Sequence, residues 1–260
     1  MMKVFAITNQ KGGVGKTTSA VNLAASLAVR HQRVLLIDLD PQGNATTGSG
    51  IDKSRLPRSV YHVLIGQAGV LDAAQYSPGA GYAVLPANRE LAGAEVELVD
   101  MPNREFQLRR ALTACENDYD LVLIDCPPAL NMLTVNGLVA ASKVLIPMQC
   151  EYYALEGLSD LVQTIKRVRH HLNPQLEIEG LLRTMFDPRN QLAQQVAAQL
   201  QHHFGAKLYR TVIPRNVRLA EAPSHGKAAM HYDASSRGAL AYQDLADELL
   251  QRLASPIAAQ

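Results

Sequence analysis

A glycine-rich segment near the start of the chain has the residue types and spacing of a phosphate-binding loop. Residues 11–18 read Lys-Gly-Gly-Val-Gly-Lys-Thr-Thr, after an apolar run and before a helical pattern. Glycines let backbone N–H groups close around phosphate oxygens, and the N-terminus of the following helix adds partial positive charge there. Lys16 can then reach the β- and γ-phosphates of a nucleotide, while the Thr17 hydroxyl can hold Mg²⁺. The segment therefore predicts binding of a nucleoside triphosphate.

The loop departs from the standard pattern G-x-x-x-x-G-K-[ST] at one position, because Gln10 stands where that pattern has its first glycine. A second lysine, Lys11, follows it. The segment resembles the deviant Walker A motif, K-G-G-x-G-K-[ST], whose extra lysine acts across a dimer. In a monomer Lys11 would be a solvated side chain at the mouth of the site. In a dimer it could neutralise charge developing on the partner's phosphates, and we favour this second interpretation.

Three carboxylates follow apolar strands and are candidates for the remaining chemistry. Asp125 ends the run 120–125 and is predicted to bind Mg²⁺ through a water molecule. Asp40 follows the run 33–38, which we expect to lie beside the phosphate loop, and is the candidate for orienting the attacking water. The loop 42–48 after it is predicted to be flexible and able to close over the γ-phosphate. Asp38 has two alternatives, a metal ligand or a cap of the strand.

The elements that position these residues alternate between buried strands and helices. Near-continuous apolar runs predict parallel strands with helices on both faces. We therefore expect an α/β fold with a doubly wound, mainly parallel sheet, of the deviant Walker A type of P-loop NTPase, in a single domain over residues 1–260. Residues 45–81 are the least regular part. The predicted strands are 4–8, 33–38, 82–86, 120–125, 143–147, 178–185 and 208–213; the predicted helices are 19–29, 61–65, 89–99, 104–115, 132–141, 155–172, 192–204 and 238–253.

Composition excludes several classes of protein. The chain has 260 residues, 47% of them hydrophobic, and a formal net charge of +1, so only the distribution of charge can indicate a partner. It has no apolar run of membrane-spanning length and no signal peptide, which predicts a cytoplasmic protein. The three cysteines, Cys115, Cys126 and Cys150, form no C-x-x-C pair, so neither a zinc nor an iron–sulfur site is indicated. We expect all three to be reduced and buried.

Further motifs make the resemblance more specific. Together with the phosphate loop, they are similar to those of the ParA/Soj chromosome-partitioning ATPases, over residues 2 to about 250. The motifs are Asp-Leu-Asp-Pro-Gln-Gly-Asn (38–44), Asp-Cys-Pro-Pro (125–128), Thr-Met-Phe-Asp (184–187), Val-Ile-Pro-Arg-Asn-Val-Arg (212–218) and Glu-Ala-Pro-Ser-His-Gly-Lys (221–227).

The resemblance implies an ATP-driven sandwich homodimer that binds double-stranded DNA without sequence preference. A ParB-type centromere-binding partner stimulates hydrolysis, and the dimer then separates; the protein would be associated with the nucleoid. No guanine-selecting Asn-Lys-x-Asp motif is present, which favours ATP. An Asn at the end of a strand can both donate to and accept from a purine edge. The nucleotide contacts implied are Lys11, Gly12, Gly13, Gly15, Lys16, Thr17, Thr18, Pro214 and Asn216.

Charge is concentrated in the last third of the chain. Residues 183–237 contain eight Lys or Arg and three acidic residues, a net charge of +5. A patch of this kind binds phosphates without sequence preference and in a salt-sensitive way, although many such runs are only solvated surface. By analogy with the family, Arg189 and Arg218 are the expected principal DNA contacts, with Arg215 weaker.

Two other classes of protein share this loop. A membrane-associated regulator like MinD would need a basic amphipathic C-terminal helix. This tail is acidic instead, and Leu245, Leu249 and Leu253 are better explained by packing on the sheet, so we expect no membrane partner. A metabolic or redox enzyme would need paired cysteines near the dimer axis or a small-molecule pocket. The sequence identifies neither.

Overall fold

Eight strands form one sheet in the computed structural model, which describes residues 2–254. The strand order is β3-β4-β2-β5-β1-β6-β7-β8, and every neighbouring pair is parallel except β3 with β4. The strands are β1 (Lys3–Ile7), β2 (Val34–Asp38), β3 (Gln75–Tyr76), β4 (Ala83–Leu85), β5 (Leu121–Asp125), β6 (Lys143–Met148), β7 (Glu177–Phe186) and β8 (Leu208–Pro214).

Helices cover both faces of this sheet, which confirms the doubly wound prediction. The helices are α1 (Lys16–Ala28), α2 (Asn44–Gly48), α3 (Val60–Leu64), α4 (Val70–Ala73), α5 (Leu91–Glu97), α6 (Gln107–Thr113), α7 (Met132–Ala140), α8 (Ala154–His171), α9 (Gln191–Phe204), α10 (Val217–Glu221), α11 (Ala229–Tyr232) and α12 (Arg237–Ala254). Side chains of β2 alternate between the two cores: Leu35 and Ile37 pack with α3–α9, whereas Val34 and Leu36 pack with α1, α11 and α12. Burial on both faces is why these strands read as unbroken apolar runs.

The strands that carry the candidate carboxylates end together at one edge. Asp125 is in register with Ile7 of β1 on one side and with Asp38 of β2 on the other. The strands on either side of β1, which leads into the phosphate loop, are β5 and β6, so the prediction that the strand before Asp40 lies there is wrong. Apolar runs of equal length and burial do not distinguish strand order, so nothing in the pattern revealed that β5 inserts between β1 and β2.

The segment predicted to be least regular contains defined structure. Residues 45–81 include most of α2 and all of α3, α4 and β3, and the loop predicted to be flexible at 42–48 contains α2. The predicted helix 89–99 is shorter, since α5 covers Leu91–Glu97 and a 3₁₀ turn follows. Beyond β8, the short helices α10 and α11 were not predicted.

Two expectations about buried residues are confirmed. All three cysteines are buried and free. Leu245 and Leu249 of α12 are buried in the core, with Leu253 packed against it. Within residues 2–254, no helix is long and apolar enough to cross a lipid bilayer.

Candidate nucleotide site

The phosphate loop connects β1 to α1 and is closed by its own lysine. Gly13 and Gly15 have φ angles of +74° and +88°, the left-handed region that favours glycine. Lys16 begins α1, is only 7% exposed, and its ammonium group donates to the Lys11 carbonyl at 3.0 Å. The charge of Lys16 is therefore held inside the loop, where phosphate oxygens would lie.

Two further side chains fix the shape of the loop, and sequence reasoning gave them no role. Asn9 accepts from the Lys11 backbone N–H at 3.0 Å and donates to the Pro147 carbonyl on β6 at 2.8 Å. The Thr184 hydroxyl on β7 donates to the Val14 carbonyl at 2.7 Å. Thr184 lies in one of the motifs that carried the resemblance, which was the available signal.

Lys11 extends away from the loop, and its ammonium group forms an ion pair with Glu151 at 2.5 Å. Both side chains are about half exposed. Exposed pairs of this kind contribute little, about 0–1 kcal/mol. In the monomer, Lys11 can therefore exchange Glu151 for another anion at little cost in free energy.

The Asp125 carboxylate lies beside the loop, in an environment that disfavours its charged form. It is 1% exposed, and neither carboxylate oxygen has a hydrogen-bond partner among the described residues. Burial raises its pKa well above the usual value, and the neighbouring Asp38 adds to the rise. Thr17 and Lys16 oppose part of that rise, although no hydrogen bond of good geometry reaches Asp125. A buried carboxylate of this kind next to a phosphate loop fits a Mg²⁺ site.

Lys16 shares this environment. Burial lowers the pKa of its ammonium group, and the Asp125 carboxylate acts in the opposite direction. The two side chains therefore stabilise each other's charged forms across the loop.

Asp38 anchors the segment that follows β2. Its carboxylate accepts from the Thr46 N–H and hydroxyl, both at 2.7 Å, and from the Asp40 N–H at 3.2 Å. Burial raises its pKa to about 6, against these hydrogen bonds. Its oxygens are occupied by α2, which supports a capping role rather than a metal role. Among the described residues, the Asp40 carboxylate accepts only from the Gln42 N–H, at 2.9 Å, which leaves oxygen lone pairs for a water molecule.

Comparison with known proteins identifies the family. A family model described as an AAA domain matches residues 2–178. The sporulation initiation inhibitor protein Soj of Bacillus subtilis is 55% identical over 249 residues, covering 96% of this chain and 98% of that protein. The chromosome partitioning protein ParA of Caulobacter vibrioides is 52% identical, covering 96% of this chain and 95% of that protein. The chain belongs to the ParA/Soj family of chromosome-partitioning ATPases.

A solved structure with a bound nucleotide supports the same fold. The structure of cobyrinic acid a,c-diamide synthase from Mycobacterium smegmatis, with bound ADP and magnesium, matches with a TM-score of 0.87 and 39% identity. The match covers 99% of this chain and 97% of that one.

The residues that the ParA/Soj resemblance places beside adenine lie at the end of β8. Pro214 closes the strand, and Asn216 caps α10 by accepting from the Arg218 N–H at 2.9 Å. Because the side-chain oxygen of Asn216 is occupied, its amide N–H₂ remains available to donate to a base.

The arginines that the ParA/Soj resemblance assigns to DNA are exposed but paired within the chain. Arg189 bonds Asp187 at 2.9 Å. Arg218 bonds Glu221 at 2.8 Å and Asp233 at 3.2 Å. The three acidic residues of the segment 183–237 are thus the ones that neutralise Arg189 and Arg218. Arg215 is exposed between β8 and α10.

Proposed function

We propose that this partitioning ATPase binds Mg²⁺ and ATP at residues 11–18, and that ATP drives two copies into a sandwich dimer. The dimer binds double-stranded DNA without sequence preference, hydrolyses ATP when a ParB-type centromere-binding protein stimulates it, and then separates. The observation that carries the nucleotide assignment is the buried carboxylate of Asp125 beside the closed loop, to which no residue of the described part of the chain donates a hydrogen bond.

Within one protomer, binding would be divided among the loop, its helix and β8. The backbone N–H groups of Gly12, Gly13 and Gly15 and the Lys16 ammonium group would hold the phosphates, with Thr18 in the first turn of α1. Pro214 and Asn216 would lie against the base. Thr17 and, through water, Asp125 would hold Mg²⁺, which when bound neutralises charge on the β- and γ-phosphates.

Hydrolysis would need two further groups, one from each protomer. Asp40 would accept a proton from the attacking water or orient it, since its carboxylate is only partly occupied. Lys11 of the second copy would neutralise charge that develops on the phosphates, as an arginine finger does. Leaving Glu151 costs Lys11 little because their ion pair is exposed.

DNA contact would use Arg189 and Arg218, with a smaller part for Arg215. Their pairing with Asp187, Glu221 and Asp233 is exposed, so phosphates can replace these carboxylates. A dimer presents two such surfaces, and joint binding raises the apparent affinity by avidity. This would place the ATP-bound form on the nucleoid.

Co-sedimentation with double-stranded DNA, in ATP and in ADP, tests this proposal. At moderate salt we expect retention in ATP, loss of retention in ADP, and loss of the ATP-dependent retention for Arg189→Glu. Arg110→Glu is the matched control, because Arg110 is exposed on α6 and lies outside the segment 183–237. Equal retention in ATP and ADP would contradict the proposed coupling.

A further inference from the structure

The C-terminal end of α8 carries a dense positive charge that the proposed function does not use. Five of the six residues 166–171 are basic or histidine, and all five are exposed; they are Lys166, Arg167, Arg169, His170 and His171. Among residues 2–254 none of them forms an ion pair. This set, here called the α8 patch, therefore differs from Arg189 and Arg218, whose charges are partly neutralised.

The α8 patch has a defined shape. Lys166, Arg169 and His170 have the spacing i, i+3, i+4, which places them on one side of the helix. With Pro174 they line a shallow depression of about 440 Å³. Ile165 and Val168 turn into the core, which keeps the charged side outward.

The α8 patch lies far from the nucleotide site. Helix α8 begins three residues after Glu151, the partner of Lys11, and has 18 residues. At 1.5 Å per residue, the patch is roughly 20–25 Å from the beginning of the helix. It therefore lies at the edge where the strands begin, opposite the phosphate loop.

Two features of the surroundings bear on what this surface could bind. A cation at the C-terminus of a helix is favourable for the helix itself, but that effect accounts for one or two residues rather than five. Glu177, an acidic side chain close enough for Arg169 to help lower its pKa, is already bonded to Lys143 at 2.9 Å. The positive charge of the α8 patch is therefore available to bind an external polyanion.

We propose that the α8 patch is a second contact for the phosphate backbone of double-stranded DNA, and that it acts without ATP. The choice of DNA as the ligand rests on the proposed function. Independence from ATP is expected because the patch lies at the edge of the sheet opposite the phosphate loop. An anionic membrane is less suitable because α8 has no exposed large apolar side chain to insert. The patch has no Phe, Tyr or Trp side chain for stacking unpaired bases, and its two imidazole rings pack edge-on against each other, which favours a duplex.

The expected binding is weak and sensitive to salt. Contact with three phosphates would make the affinity about sixfold weaker for each doubling of salt concentration. Each protomer would then offer DNA contacts at both edges of its sheet, so one dimer could bridge two segments of duplex.

The test measures binding of the full-length protein to a labelled duplex, by fluorescence anisotropy, in ADP at low salt. Lys166→Gln/Arg169→Gln removes two charges of the α8 patch, and Arg109→Gln/Arg110→Gln on α6 removes two exposed charges elsewhere. We expect the first pair to weaken binding in ADP about tenfold or more and the second pair to change it less than twofold. Both variants should keep the wild-type Tm and the wild-type response to ATP.

Several results would overturn the proposal. They are absence of DNA binding by the wild type in ADP at low salt, equal weakening by both pairs of substitutions, and tighter binding to phosphatidylglycerol vesicles than to duplex. Failure of the proposed function would give a different result, because binding of the wild type to DNA would then not increase when ATP replaces ADP. Arg189→Glu separates the two contacts, because it should reduce retention in ATP and leave the weak binding in ADP unchanged.

Discussion

Asp38 and Asp125 lie opposite each other on neighbouring parallel strands, both fully buried, yet within residues 2–254 only Asp38 has hydrogen-bond partners. Asp38 accepts from Thr46 and from the Asp40 N–H, whereas the oxygens of Asp125 accept from none of the described residues. Two identical side chains in the same layer therefore have different roles. Asp38 holds α2 in place, whereas Asp125 is the residue that we propose to face a bound cation.

Replacing Asp125 by Asn should separate stability from activity. A buried carboxylate without partners destabilises the nucleotide-free protein, so we expect Asp125→Asn to raise its Tm by about 2–6 °C. ATP turnover with Mg²⁺ should fall by about 10- to 100-fold, because the amide is a poorer partner for hydrated Mg²⁺. Differential scanning calorimetry and a phosphate-release assay measure the two effects. A variant with lower Tm and normal turnover would contradict the metal assignment.

The raised pKa of Asp38 predicts a pH dependence of stability. The pKa is about 6 in the folded chain and 3.8 as the ordinary value, so the folded state binds the proton more tightly. Stability from this group is present below pH 4 and is lost as the pH rises through 6, by about 3 kcal/mol at most. Urea unfolding of the wild type and of Asp38→Asn at each pH isolates the contribution of Asp38, since the variant has no titratable group at this position. A difference that is independent of pH would contradict this assignment.

The two lysines of the loop should have different effects when removed. Lys16 is buried inside the loop, so Lys16→Ala should weaken ATP binding at least 100-fold. Lys11 points outward to Glu151, so Lys11→Ala should change ATP affinity less than about threefold while turnover falls about 100-fold or more. Calorimetric titration with ATP and phosphate release distinguish the two. Equal loss of ATP affinity in both variants would show that Lys11 acts within its own site.

Glu248 protects the exposed edge of the sheet. It is buried on α12 and accepts from the backbone N–H groups of Arg210 and Thr211 on the edge strand β8, at 3.0 and 2.9 Å. Glu248→Gln should lower the free energy of unfolding by about 1–3 kcal/mol because it replaces charged acceptors. Asp244→Asn, on the exposed side of α12, is the matched control. Equal urea midpoints for the two variants would exclude this role.

Much of this arrangement could be predicted from the sequence, for physical reasons. Buried parallel strands read as apolar runs, and carboxylates after such runs must lie at one edge of the sheet. This is why Asp125 and Asp40 were identified together with the loop.

Other features depend on contacts distant in the chain, and the pattern does not contain them. The order of β2, β5 and β1 is set by packing. Helix α2 has only five residues and depends on Asp38 and Thr46 for its position. The roles of Asn9 and Thr184 depend on backbone carbonyls that only the fold brings near them.

Sedimentation velocity of wild type and Asp40→Ala, with Mg²⁺ and either ATP or ADP, tests the central claim that ATP binding closes a dimer and hydrolysis opens it. With ADP both proteins should sediment as the 28.3 kDa monomer. With ATP, wild type should dimerise only until the ATP is consumed, whereas Asp40→Ala should remain at twice the monomer mass. Monomers of both proteins in saturating ATP, or an Asp40→Ala dimer that decays as fast as the wild-type dimer, would contradict the account.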